Sequence, residues 1–178
     1  EYFENCMRNP PDYFVEMTTT YSNPNKPVKV AKWEKPIVTI SIADAPPDGG
    51  EKALADFITK FNNNSAKVKL EQVEKDGDIK IYFQESTGEA AGRSGASSGK
   101  DYSIDLAIVS LSQNAALFEQ SLSSILSHEI FHSLGFTGHY SGNVCRLMST
   151  STCGSRLTIN EERLIQMLYS TDLPSGSD

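Results

Sequence analysis

A pair of histidines in the second half of the chain has the spacing of metal ligands. The segment His128-Glu129-Ile130-Phe131-His132 places them at positions i and i+4 of a predicted helix. Side chains at this spacing lie about 5–6 Å apart on one helix face, so both imidazoles can bind one Zn²⁺ ion through bonds of about 2.0–2.1 Å. Glu129 is one step around the helix, beside the metal rather than directed at it. We expect it to act as the general base that takes a proton from a metal-activated water.

A third histidine follows shortly after this helix. Gly135 is expected to end the helix, because glycine accepts the positive φ of a sharp turn, and His139 can then fold back towards the metal. Catalytic zinc usually has three protein ligands and one open position. All three histidines of the chain lie within residues 128–139, which disfavours an accidental HExxH pattern. We therefore predict a Zn²⁺ site formed by His128, His132 and His139.

These residues resemble the metzincin clan of zinc peptidases, in which H-E-x-x-H-x-x-G-x-x-H is followed by a tight turn with a methionine beneath the metal. His128, Glu129, His132 and Gly135 match that pattern, and Met148 is the candidate for the Met-turn, with an ordinary core methionine as the alternative. The resemblance implies a metzincin-like fold of the α+β or α/β class. That fold has a twisted, mixed and mostly parallel sheet, an active-site helix, a Met-turn and a carboxy-terminal helix.

The third ligand departs from the clan pattern by one residue. Gly138, which has no ligating side chain, occupies the standard position, and His139 follows it. Some bacterial matrixin-like sequences have a similar Gly-His at this spacing. Small snapalysin-type metzincins instead carry an aspartate at that position, followed by a His-Tyr-Ser-Gly that resembles residues 139–142, and in this alignment His139 would not be a ligand. We favour His139 because two histidines alone hold zinc poorly and no acidic residue lies nearby.

The hydrophobic periodicity predicts the elements that position these residues. Strands are expected at residues 36–43, 67–73, 78–83 and 103–111. Helices are expected at 51–63, from a start between 112 and 121 to 134, and at 157–170, the last with Thr158 or Asn160 as its N-cap. Residues 1–35 should be irregular, because four prolines interrupt any long element.

Three further expectations concern how these elements pack. The simplest arrangement of the second and third strands is a hairpin through Asp76-Gly77, whereas the metzincin resemblance implies parallel strands. The resemblance also implies an antiparallel edge strand within residues 85–102, although the composition of residues 88–99 is typical of a long loop. The face of the histidine helix opposite to the ligands should be buried against the sheet by its apolar side chains, Leu122, Ile125, Leu126 and Ile130.

The cysteines bear on the cellular location. Cys145 and Cys153 are candidates for a disulfide that would close a short loop and contribute about 2–3 kcal/mol, and snapalysin-type proteins also place a cysteine on each side of the Met-turn. Such a bridge favours an oxidising compartment, while reduced cysteines are the alternative. Cys6 is then a free thiol or the partner of another chain. Residues 1–6 do not resemble a signal peptide. Together with the candidate disulfide, this favours the mature form of a secreted or periplasmic protein; a cytosolic protein is the alternative.

Length and composition are those of one globular domain spanning residues 1–178, with a net charge of −7. The negative charge argues against nucleic-acid binding, and no apolar run reaches the roughly 18 residues that a membrane helix needs. We expect a monomer that binds a protein or peptide substrate. The resemblance implies a zinc metalloendopeptidase; the alternatives are a metzincin-like binding module with structural zinc, which has no use for Glu129, and a zinc hydrolase of non-peptide amides.

Overall fold

A five-stranded sheet forms the centre of the protein. The computed structural model describes residues 12–18, 29–84, 91–113, 119–142, 145–149 and 157–177. The strands are β1 (Ile37–Ile42), β2 (Lys69–Gln72), β3 (Ile79–Gln84), β4 (Gly92–Ser98) and β5 (Ile104–Ser112). They are arranged in the order β2-β1-β3-β5-β4, and β4 alone among them runs antiparallel to its neighbour. The predicted antiparallel strand is therefore the edge strand β4, in the segment whose composition is typical of a loop.

The predicted hairpin between β2 and β3 is wrong. Both strands are parallel to β1 and lie on opposite sides of it, so the chain between them must cross β1. The crossing runs over the face that carries Thr39 and Ser41, where the Asp78 carboxylate accepts hydrogen bonds from the Thr39 backbone N–H and hydroxyl. Gly77 permits the crossing, because a Cβ atom there would lie 2.5 Å from the Ser41 backbone nitrogen. The Asp76-Gly77 pair thus marks a crossover rather than a hairpin turn.

Four helices are present among the described residues: α1 (Asp12–Thr18), α2 (Gly50–Asn64), α3 (Glu119–Ser133) and α4 (Ile159–Tyr169). Helix α1 corrects the expectation that residues 1–35 are irregular. It forms because Phe14 and Met17, at helical spacing, are both buried in the core. No helix of the described segments is long and apolar enough to cross a membrane.

The main core lies between one face of the sheet and helices α2, α3 and α4. Alternate side chains of the central strands face these helices, as the period of two requires, and those that are fully buried include Val38, Ile40, Ile79, Ile81, Val109 and Leu111. Helix α4 begins with a capping box in which the Thr158 side chain and the Glu161 carboxylate satisfy each other's backbone N–H groups. Thr158, rather than Asn160, is therefore the N-cap.

Candidate metal centre

Helix α3 carries two of the three histidines and is held by its apolar face. The prediction for this face is confirmed: the side chains that bury it are Leu122, Ile125, Leu126 and Ile130. The helix contacts both β4 and β5. His128, Glu129 and His132 consequently project from a helix that the core fixes in position.

The three histidine rings converge on one point. The Nε2 atom of His128 lies 3.1 Å from that of His132 and 3.3 Å from that of His139, and the remaining pair is 3.2 Å apart. Tetrahedral ligands with bonds of 2.0–2.1 Å are separated by about 3.3–3.4 Å. The spacing of the three nitrogens therefore fits a single metal ion, and His139 joins the cluster despite its displaced position in the sequence.

Hydrogen bonds to the other ring nitrogens fix the tautomers of the two helix histidines. His128 Nδ1 lies 2.7 Å from the Leu147 carbonyl oxygen, and His132 Nδ1 lies 2.8 Å from the Phe136 carbonyl oxygen. Because a carbonyl only accepts, both Nδ1 atoms carry the proton, and in a neutral ring the Nε2 lone pair is left free. Two such lone pairs at 3.1 Å cannot hydrogen-bond to each other. The donor set thus fits a cation that both nitrogens bind.

The cluster also favours neutral imidazoles. Burial lowers the pKa of all three rings. The effect is largest for His132, whose pKa falls to about 3 through burial and the proximity of His128. A metal ligand must be deprotonated at the binding nitrogen, so these rings are available for metal binding at neutral pH.

A sharp turn after α3 directs the chain towards His139, as predicted for Gly135. This residue has a φ of 98°, and a Cβ atom there would lie 2.0 Å from the Ala31 carbonyl oxygen. Two hydrogen bonds hold the end of the helix: the Trp33 indole N–H donates to the Ser133 carbonyl, and the buried Tyr169 hydroxyl donates to the Leu134 carbonyl. Glycine at this turn is required by both the backbone conformation and the close packing.

The His139 loop, residues 136–142, runs against helix α1. The Gly138 backbone N–H donates to the Met17 carbonyl at 2.9 Å. A Cβ atom at Gly138 would lie only 1.9 Å from the Glu16 carbonyl oxygen. The backbone of α1 therefore leaves no space for a side chain at Gly138, the position at which the metzincin pattern has its third ligand. The next residue, His139, reaches the cluster instead.

The segment that contains Met148 lies directly beside the histidines. Met148 is fully buried, and its carbonyl accepts a hydrogen bond from the Tyr140 N–H at 2.6 Å. The preceding residue, Leu147, supplies the carbonyl that orients His128.

Cys153 and Cys6 lie outside the described residues, so the pairing of Cys153 with Cys145 stays a prediction.

Glu129 lies beside the cluster and under the edge strand. Its side chain is 6% exposed, and burial raises the pKa of its carboxyl to about 7, opposed by a hydrogen bond from Ser94. A Cβ atom at Gly92 would lie 2.8 Å from Cγ and 2.9 Å from Oε1 of Glu129. Gly92 and Ser94 were not identified from the sequence as residues of the site. A glycine within a strand often marks the close approach of another group, and this signal could have indicated Gly92.

A cleft of about 470 Å³ opens over this site. Its lining combines the edge strand β4 with Glu129, His132 and His139. A second concavity of about 540 Å³ lies between α2 and α3 and is lined by none of the histidines. The cleft that the histidines line is therefore the candidate site.

The fold of this chain is shared with a solved structure. No protein-family model and no curated protein matches the sequence. Among solved structures, that of myroilysin matches with a TM-score of 0.53 and 12% sequence identity, over 78% of this chain and 82% of that chain. The mixed, mostly parallel sheet with its helices is the fold class that the metzincin resemblance implies, and this prediction is confirmed.

Proposed function

We propose that the chain is a zinc-dependent metalloendopeptidase. The observation that carries this proposal is the convergence of three Nε2 atoms, 3.1–3.3 Å apart, beside a buried carboxylate. The fold shared with myroilysin, which is of the metallopeptidase type, supports it. His128, His132 and His139 are the proposed ligands, and three neutral imidazoles with an open position are a common ligand set of catalytic zinc.

Glu129 is the proposed general base and general acid. Bound zinc would supply Lewis acidity towards the scissile carbonyl and the attacking water. The Glu129 carboxylate takes the proton that water loses as its oxygen bonds to the carbonyl carbon. The same carboxyl then gives that proton to the amine nitrogen as the C–N bond breaks. Burial favours the protonated form of this carboxyl, and a group that can both accept and return a proton suits the two steps.

The edge strand β4 is the proposed binding surface for the substrate backbone. It forms one end of the sheet and lines the cleft beside Glu129. An extended peptide can pair with the free edge of a strand through main-chain hydrogen bonds. Small side chains along β4, which include Ser94, Gly95 and Ala96, leave the strand accessible to such a peptide.

Met148 is proposed as the apolar floor beneath the ligands. Its full burial and the hydrogen bonds that connect its segment to His128 and Tyr140 support this role.

We also propose that the enzyme acts as a secreted or periplasmic monomer on protein or peptide substrates. The secreted location is inferred from the predicted Cys145–Cys153 bridge. Alkylation of thiols before and after reduction tests this bridge, and two reactive thiols at these positions without reduction would contradict it.

The experiment that tests the activity compares three proteins on casein and on a mixed peptide library, with and without a metal chelator. We expect chelator-sensitive hydrolysis by the parent chain, and a loss of about 10²–10⁴-fold in Glu129→Gln with an unchanged zinc content. Glu74→Gln, which alters an exposed carboxylate elsewhere, is the matched control and should retain full activity.

Two outcomes would contradict the proposal. Full activity in Glu129→Gln would exclude its role as the base. A parent chain that binds zinc in a 1:1 ratio and hydrolyses none of the peptides would instead support a metzincin-like binding module.

A further inference from the structure

Helix α1 accepts hydrogen bonds from the His139 loop through one side chain and one backbone carbonyl. The Glu16 carboxylate accepts hydrogen bonds from the Ser141 backbone N–H at 2.8 Å and from the Ser141 hydroxyl at 2.7 Å. The Met17 carbonyl accepts the Gly138 N–H at 2.9 Å. These contacts lie on both sides of His139, so α1 fixes the loop immediately before and after the ligand.

An aromatic cluster extends the same contact to the residue next to His139. The rings of Tyr13 and Tyr140 pack edge to face with their centres 5.5 Å apart. The Arg146 guanidinium lies over both rings, 4.6 Å from Tyr13 and 4.7 Å from Tyr140. The Tyr13 hydroxyl donates to the fully buried Glu161 at 2.8 Å, so Tyr13 connects the loop to the start of helix α4.

Helix α1 is itself held by the core, through the buried side chains of Phe14 and Met17. It can therefore impose a fixed geometry on the His139 loop, whose first residue, Phe136, is separately anchored in the core. The cluster formed by His128 and His132 needs no such support, because both residues project from a buried helix. His139 is the ligand whose position depends on contacts from a distant part of the chain.

From this asymmetry we propose that Glu16 and Tyr13 are positioning residues of the metal site, which hold His139 in place before the metal binds. The inference rests on the proposed metal site and concerns metal affinity rather than catalysis. Residues that orient ligands through hydrogen bonds commonly change metal affinity by about 10–100-fold when they are replaced.

The test measures the zinc dissociation constant of the chain of residues 1–178 by competition with a chromophoric chelator. We expect Glu16→Ala to bind zinc about 10–100-fold more weakly than the parent. Glu16→Gln keeps an oxygen that can accept from Ser141 and should restore most of the affinity. Val15→Ala, on the exposed side of the same helix with 42% exposure, is the matched control and should bind zinc as the parent does.

A spectroscopic measurement separates positioning from general loss of structure. The d–d absorption of the Co²⁺-substituted protein reports ligand geometry, and we expect it to change in Glu16→Ala while the far-ultraviolet circular dichroism stays the same. If Glu16→Ala does not fold, Tyr13→Phe takes its place. It removes only the hydroxyl that anchors the ring to Glu161, so we expect a smaller loss of affinity, because the ring contact with Tyr140 is kept.

The outcomes for this inference and for the proposed peptidase activity are distinct. Equal zinc affinities for Val15→Ala and for the variants Glu16→Ala and Tyr13→Phe would overturn the positioning role, whatever the activity. Equal losses in Glu16→Ala and Glu16→Gln would overturn the hydrogen-bonding role of Glu16. A parent chain that binds zinc and lacks peptidase activity would overturn the proposed function alone.

Discussion

The two sides of the histidine cluster are held by different forces. On one side, His128 and His132 project from helix α3, whose opposite face is buried in the core. On the other side, His139 lies in a loop that is held by hydrogen bonds from α1 and by the close approach of Gly138 to the α1 backbone. Apolar burial fixes the helix side, whereas the loop side combines the buried Phe136 with polar and aromatic contacts to the distant helix α1.

The two sides of the cluster should therefore respond differently to substitution. Loss of apolar burial lowers the free energy of unfolding of the whole domain, since the core is shared by all elements. Loss of a polar contact at the loop should change the local geometry of one ligand and cost less global stability.

Removal of a ligand from either side should have the largest effect. His132→Ala and His139→Ala are each expected to lower the rate of peptide hydrolysis by about 10³-fold or more, since metal catalysis supplies several kcal/mol. Hydrolysis rates and zinc content measured by atomic spectroscopy check this. An unchanged zinc content in His139→Ala alone would support the alignment in which His139 is not a ligand.

On the helix side, Ile130→Ala should reduce stability without altering the metal geometry. The side chain is fully buried, and truncation of such a residue costs about 2–5 kcal/mol in the free energy of unfolding. Urea unfolding measures this loss, and Leu106→Ala, at a position that is 41% exposed, is the control. A large loss of zinc affinity in folded Ile130→Ala would break the proposed contrast.

On the loop side, Gly138→Ala should affect the metal more than the fold. The added Cβ would overlap the Glu16 carbonyl, so α1 and the His139 loop must separate. We expect a cost of about 1–3 kcal/mol in unfolding free energy and zinc binding weakened by about 10-fold. The control is Gly95→Ala, where the added atom meets nothing within 4 Å; equal zinc affinities in the two variants would contradict the role of the close approach.

Gly92→Ala should affect catalysis without affecting metal binding. Its added Cβ would displace the Glu129 side chain, while the three histidines stay in place. We expect kcat to fall by about 10-fold, which corresponds to 1.4 kcal/mol in the activation barrier. Steady-state kinetics and the zinc dissociation constant check this, and a kcat equal to that of the parent would show that the carboxylate tolerates the displacement.

The smallest effect is expected at Asp78, which belongs to neither side. Burial acts to raise the pKa of this carboxyl, but the Lys35 ammonium and the Thr39 hydrogen bonds outweigh it and hold the pKa below its ordinary value. A depressed pKa in the folded state adds stability above the unfolded value of about 3.9, and this stability disappears as the pH falls through the folded pKa.

Asp78→Asn should therefore lose about 1 kcal/mol at pH 7 and show a shallower loss of stability as the pH falls below the ordinary carboxyl pKa of about 3.9. Urea unfolding at several pH values measures this dependence. Zinc affinity at pH 7 should not change, which makes the variant a reference for purely structural effects. A steeper acid dependence than that of the parent would show that the ion pair with Lys35 does not stabilise the folded state.

The helix side of the site could be predicted from the sequence because its information is local. The i, i+4 spacing of His128 and His132 and the apolar stripe through Ile130 both follow from the helical period. The central strands were likewise predicted to within a few residues, since alternating or continuous apolar runs mark them. Such patterns require no knowledge of what lies on the other side of the element.

The features that were missed depend on contacts between distant segments. Helix α1 has only seven residues, and its two core side chains, Phe14 and Met17, become informative only when the rest of the core is known. The crossing through Gly77 replaced the predicted hairpin because a two-residue turn signal does not specify which strand the chain passes. Gly92 became part of the site only through its packing against Glu129.

The close approach at Gly138 has a consequence for how such sites evolve. A ligating side chain at position 138 and the present path of α1 exclude each other, because the Cβ atom would overlap the Glu16 carbonyl. An evolutionary change that moves the third ligand between positions 138 and 139 has two routes. Either the metal site passes through a stage with only two ligands, or the loop and helix α1 change together. Selection on the length of the loop is thereby coupled to a segment more than one hundred residues away in the chain.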